Sequence, residues 1–206
     1  ALATGNYDGA FAMLEQNMAP QEPTLRLRAV TLLAKTPGTP ADRHERALRW
    51  AAQILPHEVP NAQSAELQQL AGDIGRQLTA LLLAHRDALV DGRVTDRTML
   101  GAGINAHQAL RVADLHHTQD TILLALHMAP LLFASDRSRD VIPMVTDALE
   151  ATPSPTQASA LHGFLGRSLL LAGRAEAALP HLRKYVAGDP SNASVVLPLA
   201  RELPAA

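Results

Sequence analysis

The sequence predicts an all-helical chain of antiparallel hairpins, and three observations point there. Of its 206 residues 47% are hydrophobic but only 3% aromatic, and the apolar fraction is chiefly Ala and Leu, which favours helices over sheets. Turn and breaker residues cut the chain into segments of helical length. No segment shows the strict alternation of a half-buried strand. Helices are expected near residues 6–18, 24–35, 41–55, 62–90, 96–113, 118–134, 138–151, 156–171, 174–187 and 192–203. Pro20, Pro23, Pro37, Pro40, Pro56, Pro60, Pro153, Pro155 and Pro190 fall at or near the junctions, where a residue unable to donate an interior helical hydrogen bond does least harm.

Taken in order, Gly5 to Leu14 matches Gly173 to Leu182 position by position, as the turn and second helix of a hairpin whose first helix is missing. A lone second helix exposes an unpartnered apolar seam. A longer native chain, or self-association through this seam, is the expectation. Ala47, Leu48, Trp50, Ala51 and Ile54 make a further second helix, paired with Leu25, Leu27, Val30, Leu32 and Leu33 on the helix before it. The stretch from Gln63 to Leu115 matches neither, and its first helix is long for a hairpin unit, with Gly72 and Gly75 inside it and a turn at Val90-Asp91-Gly92-Arg93. The expected organisation is therefore degenerate hairpins over 1–60, a divergent long-helix hairpin over 61–117, and better-matched repeats with a terminal helix over 118–206.

The clearest unit runs from Ser159 to Asn192, two helices joined by Ala172-Gly173-Arg174 and followed by Asp189-Pro190. Leu165, Gly166, Leu169, Gly173, Ala178, Leu182 and Pro190 stand at the spacings of a tetratricopeptide repeat, a helix-turn-helix unit of ~34 residues, and the chain resembles that family here. Tyr185 departs from the pattern, which usually has a small residue there. Counting back from Pro153 gives a degenerate copy, Met128, Ala129, Leu132, Val141, Val145 and Ala148, with Asp136 in place of the turn glycine. The resemblance implies a right-handed superhelix of hairpins, an α-solenoid, whose concave face is lined by the first helix of each unit. Carried over residue by residue, the inward positions are Leu123, Leu126, Pro130 and Phe133 in one unit and Ala160, Gly163, Arg167 and Leu170 in the next. Such a groove is apolar with a single cation, Arg167, and suits an amphipathic helix or extended peptide. The equal alternative is that Leu126, Phe133 and Leu170 pack against the middle hairpin or the terminal helix. Proteins that resemble this one often serve bacterial secretion, pilus or envelope assemblies, so the expected role is a scaffold or adaptor for a protein or peptide. A regulatory or substrate-recruiting domain of a larger enzyme, such as a glycosyltransferase or sulfotransferase, is the second reading.

Composition narrows the partners. Net charge is -2 with both signs interleaved, so no large field attracts nucleic acid or an anionic membrane. The longest apolar runs, around Ile122–Leu126 and Ala129–Ala134, fall well short of the ~20 residues that span a bilayer. Cysteine is absent, which removes disulfides and thiolate chemistry and leaves a cytoplasmic or periplasmic home equally open. No basic stretch followed by an apolar one opens the sequence, so no signal peptide is read there. Lys35 and Lys184 are the only lysines among many arginines, which with the Ala content suggests a GC-rich bacterial source.

Catalysis and cofactors find no support. Nine histidines are the plausible metal or acid–base groups, densest at His116 and His117 beside Asp114 and Asp120. On a helix, neighbouring histidines point ~100° apart and cannot share one ion, so a polar helix start is the expected role. His44, His57, His85, His107, His162 and His181 read as dispersed. Gly101-Ala102-Gly103 lacks the preceding strand of a phosphate-binding loop and reads as a close-packing site. Ser135, Ser138 and Ser168 lie outside any nucleophile motif. Arg43, Arg46 and Arg49, diluted by Asp42 and Glu45, read as a solvated face. Neither a metal nor a cofactor is expected.

Overall fold

The computed structural model describes residues 6, 9, 12, 13, 46–48, 50, 65–84 and 97–196. Among these residues every regular element is helical. They form α1 (Ala65–Ala84), α2 (Arg97–Val112), α3 (Gln119–Ala134), α4 (Ser138–Glu150), α5 (Pro155–Leu171) and α6 (Ala175–Gly188), then a 3-10 turn at Pro190–Asn192. The all-helical class read from the composition holds, and the bounds of α2 to α6 fall within one residue of those expected. The pairing of residues 24–35 with 41–55, the turn at Val90-Asp91-Gly92-Arg93 and the end of the terminal helix lie outside the described residues. Of the N-terminal seam, Asn6, Gly9, Ala12 and Met13 are described, with Asn6 Oδ1 accepting the Gly9 N–H at 2.9 Å as a helix cap does. Ala47 and Leu48 are buried in the common core.

Local chemistry sets the helix ends. Ser154 opens α5 with a reciprocal cap: its Oγ accepts from the Gln157 N–H at 3.4 Å, and Gln157 Oε1 accepts from the Ser154 N–H at 2.9 Å. Pro155 then occupies the first helical position, where no N–H is needed. At the other end, α2, α3 and α5 close alike. Asp114 (φ 56°), Asp136 (φ 56°) and Gly173 (φ 74°) take the left-handed conformation just past each helix. The following N–H groups, of Leu115, Arg137 and Arg174, donate back to Leu110, Leu132 and Leu169 at 2.8 Å. Thr152 (φ 55°) plays the same part after α4, but Pro153 has no N–H to complete the bond.

These ends recur in register. Asp136 and Gly173, Arg137 and Arg174, and Pro143 and Pro180 are each 37 positions apart. Pro143 and Pro180 thus stand at equivalent places inside α4 and α6.

Packing follows one rule throughout. α1 pairs with α2, α3 with α4, and α5 with α6, and the first helix of each later pair also packs on both helices of the pair before it. Within pairs, glycines on the first helix admit large side chains from the second helix or from the residues just past its end. A Cβ on Gly72 or Gly75 would collide with Leu115 or Leu110, and one on Gly163 or Gly166 with Tyr185 or Leu182. The earlier glycine always meets the later partner, as antiparallel helices require. The middle hairpin, expected to diverge, shares this glycine contact with the last one. Tyr185, the departure from the repeat pattern, is accommodated because Gly163 has no side chain. Ile74, Leu78, Leu110, Leu124, Met128, Leu132, Val145 and Leu161 are fully buried and join the three pairs into one core. Each such side chain contributes about 1.5–3 kcal/mol relative to exposure.

Candidate functional site

The first helices of three successive pairs, α1, α3 and α5, converge on a cleft of about 430 Å³. Leu83 comes from α1, Leu123, Leu126, His127, Pro130 and Leu131 from α3, and Ala160 and Phe164 from α5. Because Pro130 has no N–H, the Leu126 carbonyl lacks its usual helical donor at this wall. At the rim, the Phe133 ring lies 6.1 Å from that of Phe164, centroid to centroid. Arg167 places its guanidinium carbon 4.9 Å from the Phe133 centroid, within cation–π range. The Arg167 Nε is buried and has no hydrogen-bond partner among the described residues.

Of the positions expected to face inward, Leu123, Leu126, Pro130 and Ala160 line this cleft, and Phe133 and Arg167 meet at its edge. Gly163 does not: an added Cβ there would point at Tyr185 Cδ2, 2.8 Å away, so this position belongs to the α5–α6 contact. Leu170 is half-buried against the core. Leu83, His127, Leu131 and Phe164 were not foreseen. Leu131 and Phe164 follow His127 and Ala160 by four residues, a spacing that keeps them on the same helix face and was there to be read. Leu83 had no such signal, because its helix matches no repeat.

The histidines regroup. His116 and His117 stand in the loop between α2 and α3, not on a helix, and their rings lie 3.8 Å apart at 50°, so the helical splay does not apply. His117 Nδ1 lies 3.6 Å from Glu150 on α4, and His116 Nδ1 3.7 Å from Asp114. Among the described residues no three His, Cys, Asp or Glu side chains are grouped to hold a metal ion. His107, read as one of the dispersed histidines, is buried with Nε2 2.7 Å from Asp147 Oδ2, and Arg111 Nε reaches the same oxygen at 3.4 Å. Burial holds His107 below the ordinary imidazole range, and Asp147 opposes that shift. A neutral ring donating Nε2–H to the carboxylate fits both facts, a bond that ties α2 to α4. His44, His57 and His85 lie outside the described residues. Of the two close glycines, Gly103 does abut Met128, but nothing lies near Gly101. Arg46 stacks over Trp50, 5.0 Å from its ring centroid.

Among the described residues no helix is long and apolar enough to cross a membrane. Comparison with protein-family models, curated proteins and solved structures gave no match.

Proposed function

We propose that the chain is a tetratricopeptide-like scaffold or adaptor that holds a partner peptide or helix in the cleft between α1, α3 and α5, and that it carries out no catalysis. The observation behind this reading is the cleft itself: mainly apolar walls from three successive first helices, with His127 among them and Arg167 set beyond Phe164 over the Phe133 ring. An amphipathic helix would set its apolar side chains on Leu83, Leu126 and Phe164 and bring a carboxylate to Arg167. Pairing that carboxylate with a guanidinium already partly stripped of water costs less desolvation than recruiting a solvated one.

The architecture we infer is a right-handed superhelix of such hairpins. Its support is the packing of α3 and α5 on both helices of the preceding pair and the recurrent left-handed turn. The 37-residue register is longer than the ~34 of the tetratricopeptide unit.

The test uses this chain as bait in a bacterial lysate beside the double variant Arg167→Glu, Phe133→Asp, with circular dichroism confirming that both remain helical. Proteins captured by the parent and released by the variant would then be trimmed to the binding segment and measured in purified form. An affinity loss of about 100-fold or more is expected when a buried charge contact and an aromatic wall are removed together. Equal capture by both chains refutes the cleft as the binding surface.

A further inference from the structure

α5 carries a second set of side chains on the side turned away from this groove. At ~100° per residue, Ala160, Phe164 and Arg167 share one face, whereas Ala158, His162, Leu165 and Leu169 share the opposite one. That opposite face opens on a cleft of about 530 Å³ bounded by α4 and α6. Its floor is apolar, from Leu165, Leu169, Ile142, Leu149 and Ala177. Its polar groups are His162 on α5, Arg174, His181 and Lys184 at or on α6, and Thr146 and Glu150 on α4, the Thr146 hydroxyl donating to the Ile142 carbonyl.

His162 and His181 meet Nδ1 to Nδ1 at 3.0 Å, with ring centroids 5.1 Å apart. Two imidazole nitrogens approach that closely when one carries a proton and the other does not. Both rings are held below the ordinary imidazole range, chiefly by burial and then by Lys184, so each is neutral near pH 7 and the pair shares one Nδ1–H. Four nitrogen-bearing groups thus face an apolar floor with one carboxylate among them. A cation is disfavoured there, since Lys184 repels it and no third ligand completes a metal site among the described residues.

We propose that this cleft binds an organic monocarboxylate with an apolar body, its carboxylate held by Lys184, Arg174 and the His162–His181 pair and its body lying on Leu165 and Leu169. The volume suits a ligand of modest size. An incoming carboxylate relieves the repulsion from Lys184, so the imidazole pair takes up a proton as the ligand binds. Affinity therefore rises as pH falls. Glu150 repels a second negative charge, which favours a monocarboxylate over phosphate.

The test titrates 3-phenylpropionate, its neutral amide and inorganic phosphate into the full chain at pH 6 and pH 8, by calorimetry and by the histidine Cε1–H proton resonances. The acid is expected to bind at least about fivefold more tightly at pH 6, with proton uptake and shifted His162 and His181 signals, and the amide and phosphate about tenfold more weakly. Lys184→Met and Arg174→Met, both at exposed side chains, should each weaken the acid about tenfold, while Arg139→Met, an exposed side chain that lines neither cleft, leaves acid binding unchanged. N-acetyl-Leu-Phe with a free C-terminus, run in parallel, distinguishes a peptide terminus from a free acid by which of the two binds more tightly. Equal binding of acid and amide, equal binding of phosphate, indifference to Lys184→Met, or no binding by about 10 mM each overturns the proposal.

Discussion

Gly163 and Tyr185 complement each other across the α5–α6 contact: a Cβ on the glycine would stand 2.8 Å from the tyrosine ring. The same large-into-small fit recurs at Gly166 with Leu182 and at Gly75 with Leu110. The glycines are therefore positions where helix propensity yields to packing. Alanine normally gains about 1 kcal/mol over glycine inside a helix, whereas overpacking a tight contact costs about 1–3 kcal/mol.

Gly163→Ala should accordingly destabilise the chain by about 1 kcal/mol net, and Gly166→Ala by more, because Leu182's backbone N as well as its side chain stands close. Gly101→Ala is the control. With no atom near its Cβ it should stabilise by about 0.5–1 kcal/mol. Urea unfolding of the three variants checks the order, and a Gly163→Ala protein more stable than its parent would refute the steric reading.

The turn after α3 offers a gain. Asp136 occupies the left-handed region that Gly173 occupies one repeat later, and a residue with a Cβ pays steric energy there. Asp136→Gly should raise stability by up to about 1 kcal/mol, and Gly173→Ala should lower it by about the same. Opposite shifts in melting temperature are the expected result.

Acid should weaken the fold before any carboxylate titrates. His107, His162 and His181 are all held low, burial being the first cause in each case. A group whose folded pKa lies below its unfolded value binds more protons when unfolded between the two, so stability climbs with pH in that window. Melting temperature should therefore fall as pH drops from about 7.5 through the unfolded-state value of ~6.5. His107→Gln keeps a donor for Asp147 without titrating and should flatten part of that slope. A parent curve level from pH 7.5 to 5.5 would count against the neutral assignment.

Arg167 separates binding from folding. Its Nε is buried without a hydrogen bond among the described residues, which is a cost to the folded chain. Arg167→Met gives up the guanidinium's contact with Phe133 but also removes the unsatisfied buried Nε, so stability should stay within about 1 kcal/mol of the parent while partner affinity falls at least tenfold. Parallel losses in both measurements would make Arg167 a structural residue only.

Much of this arrangement was legible in the residues, and the exceptions have physical causes. Helix ends were readable because Gly173 and the prolines act locally, through positive and fixed φ; the Ser154 cap was not read. The left-handed turn at Asp136 followed from its offset to Gly173. The middle stretch was read as a hairpin with Gly72 and Gly75 on its first helix, but its length hid that these two glycines play the part of Gly163 and Gly166, and Pro143 and Pro180, equally spaced, carried the register unnoticed. The His162–His181 pair was beyond reach of pattern alone. Those residues lie 19 positions apart, and only the packing of α6 on α5 brings them together.

Because α3 and α5 each lean on both helices of the pair before them, the three described pairs are linked in series, and a disturbance in one is passed to its neighbour. A partner laid across α1, α3 and α5 would clasp all three pairs at once and hold them together against local opening.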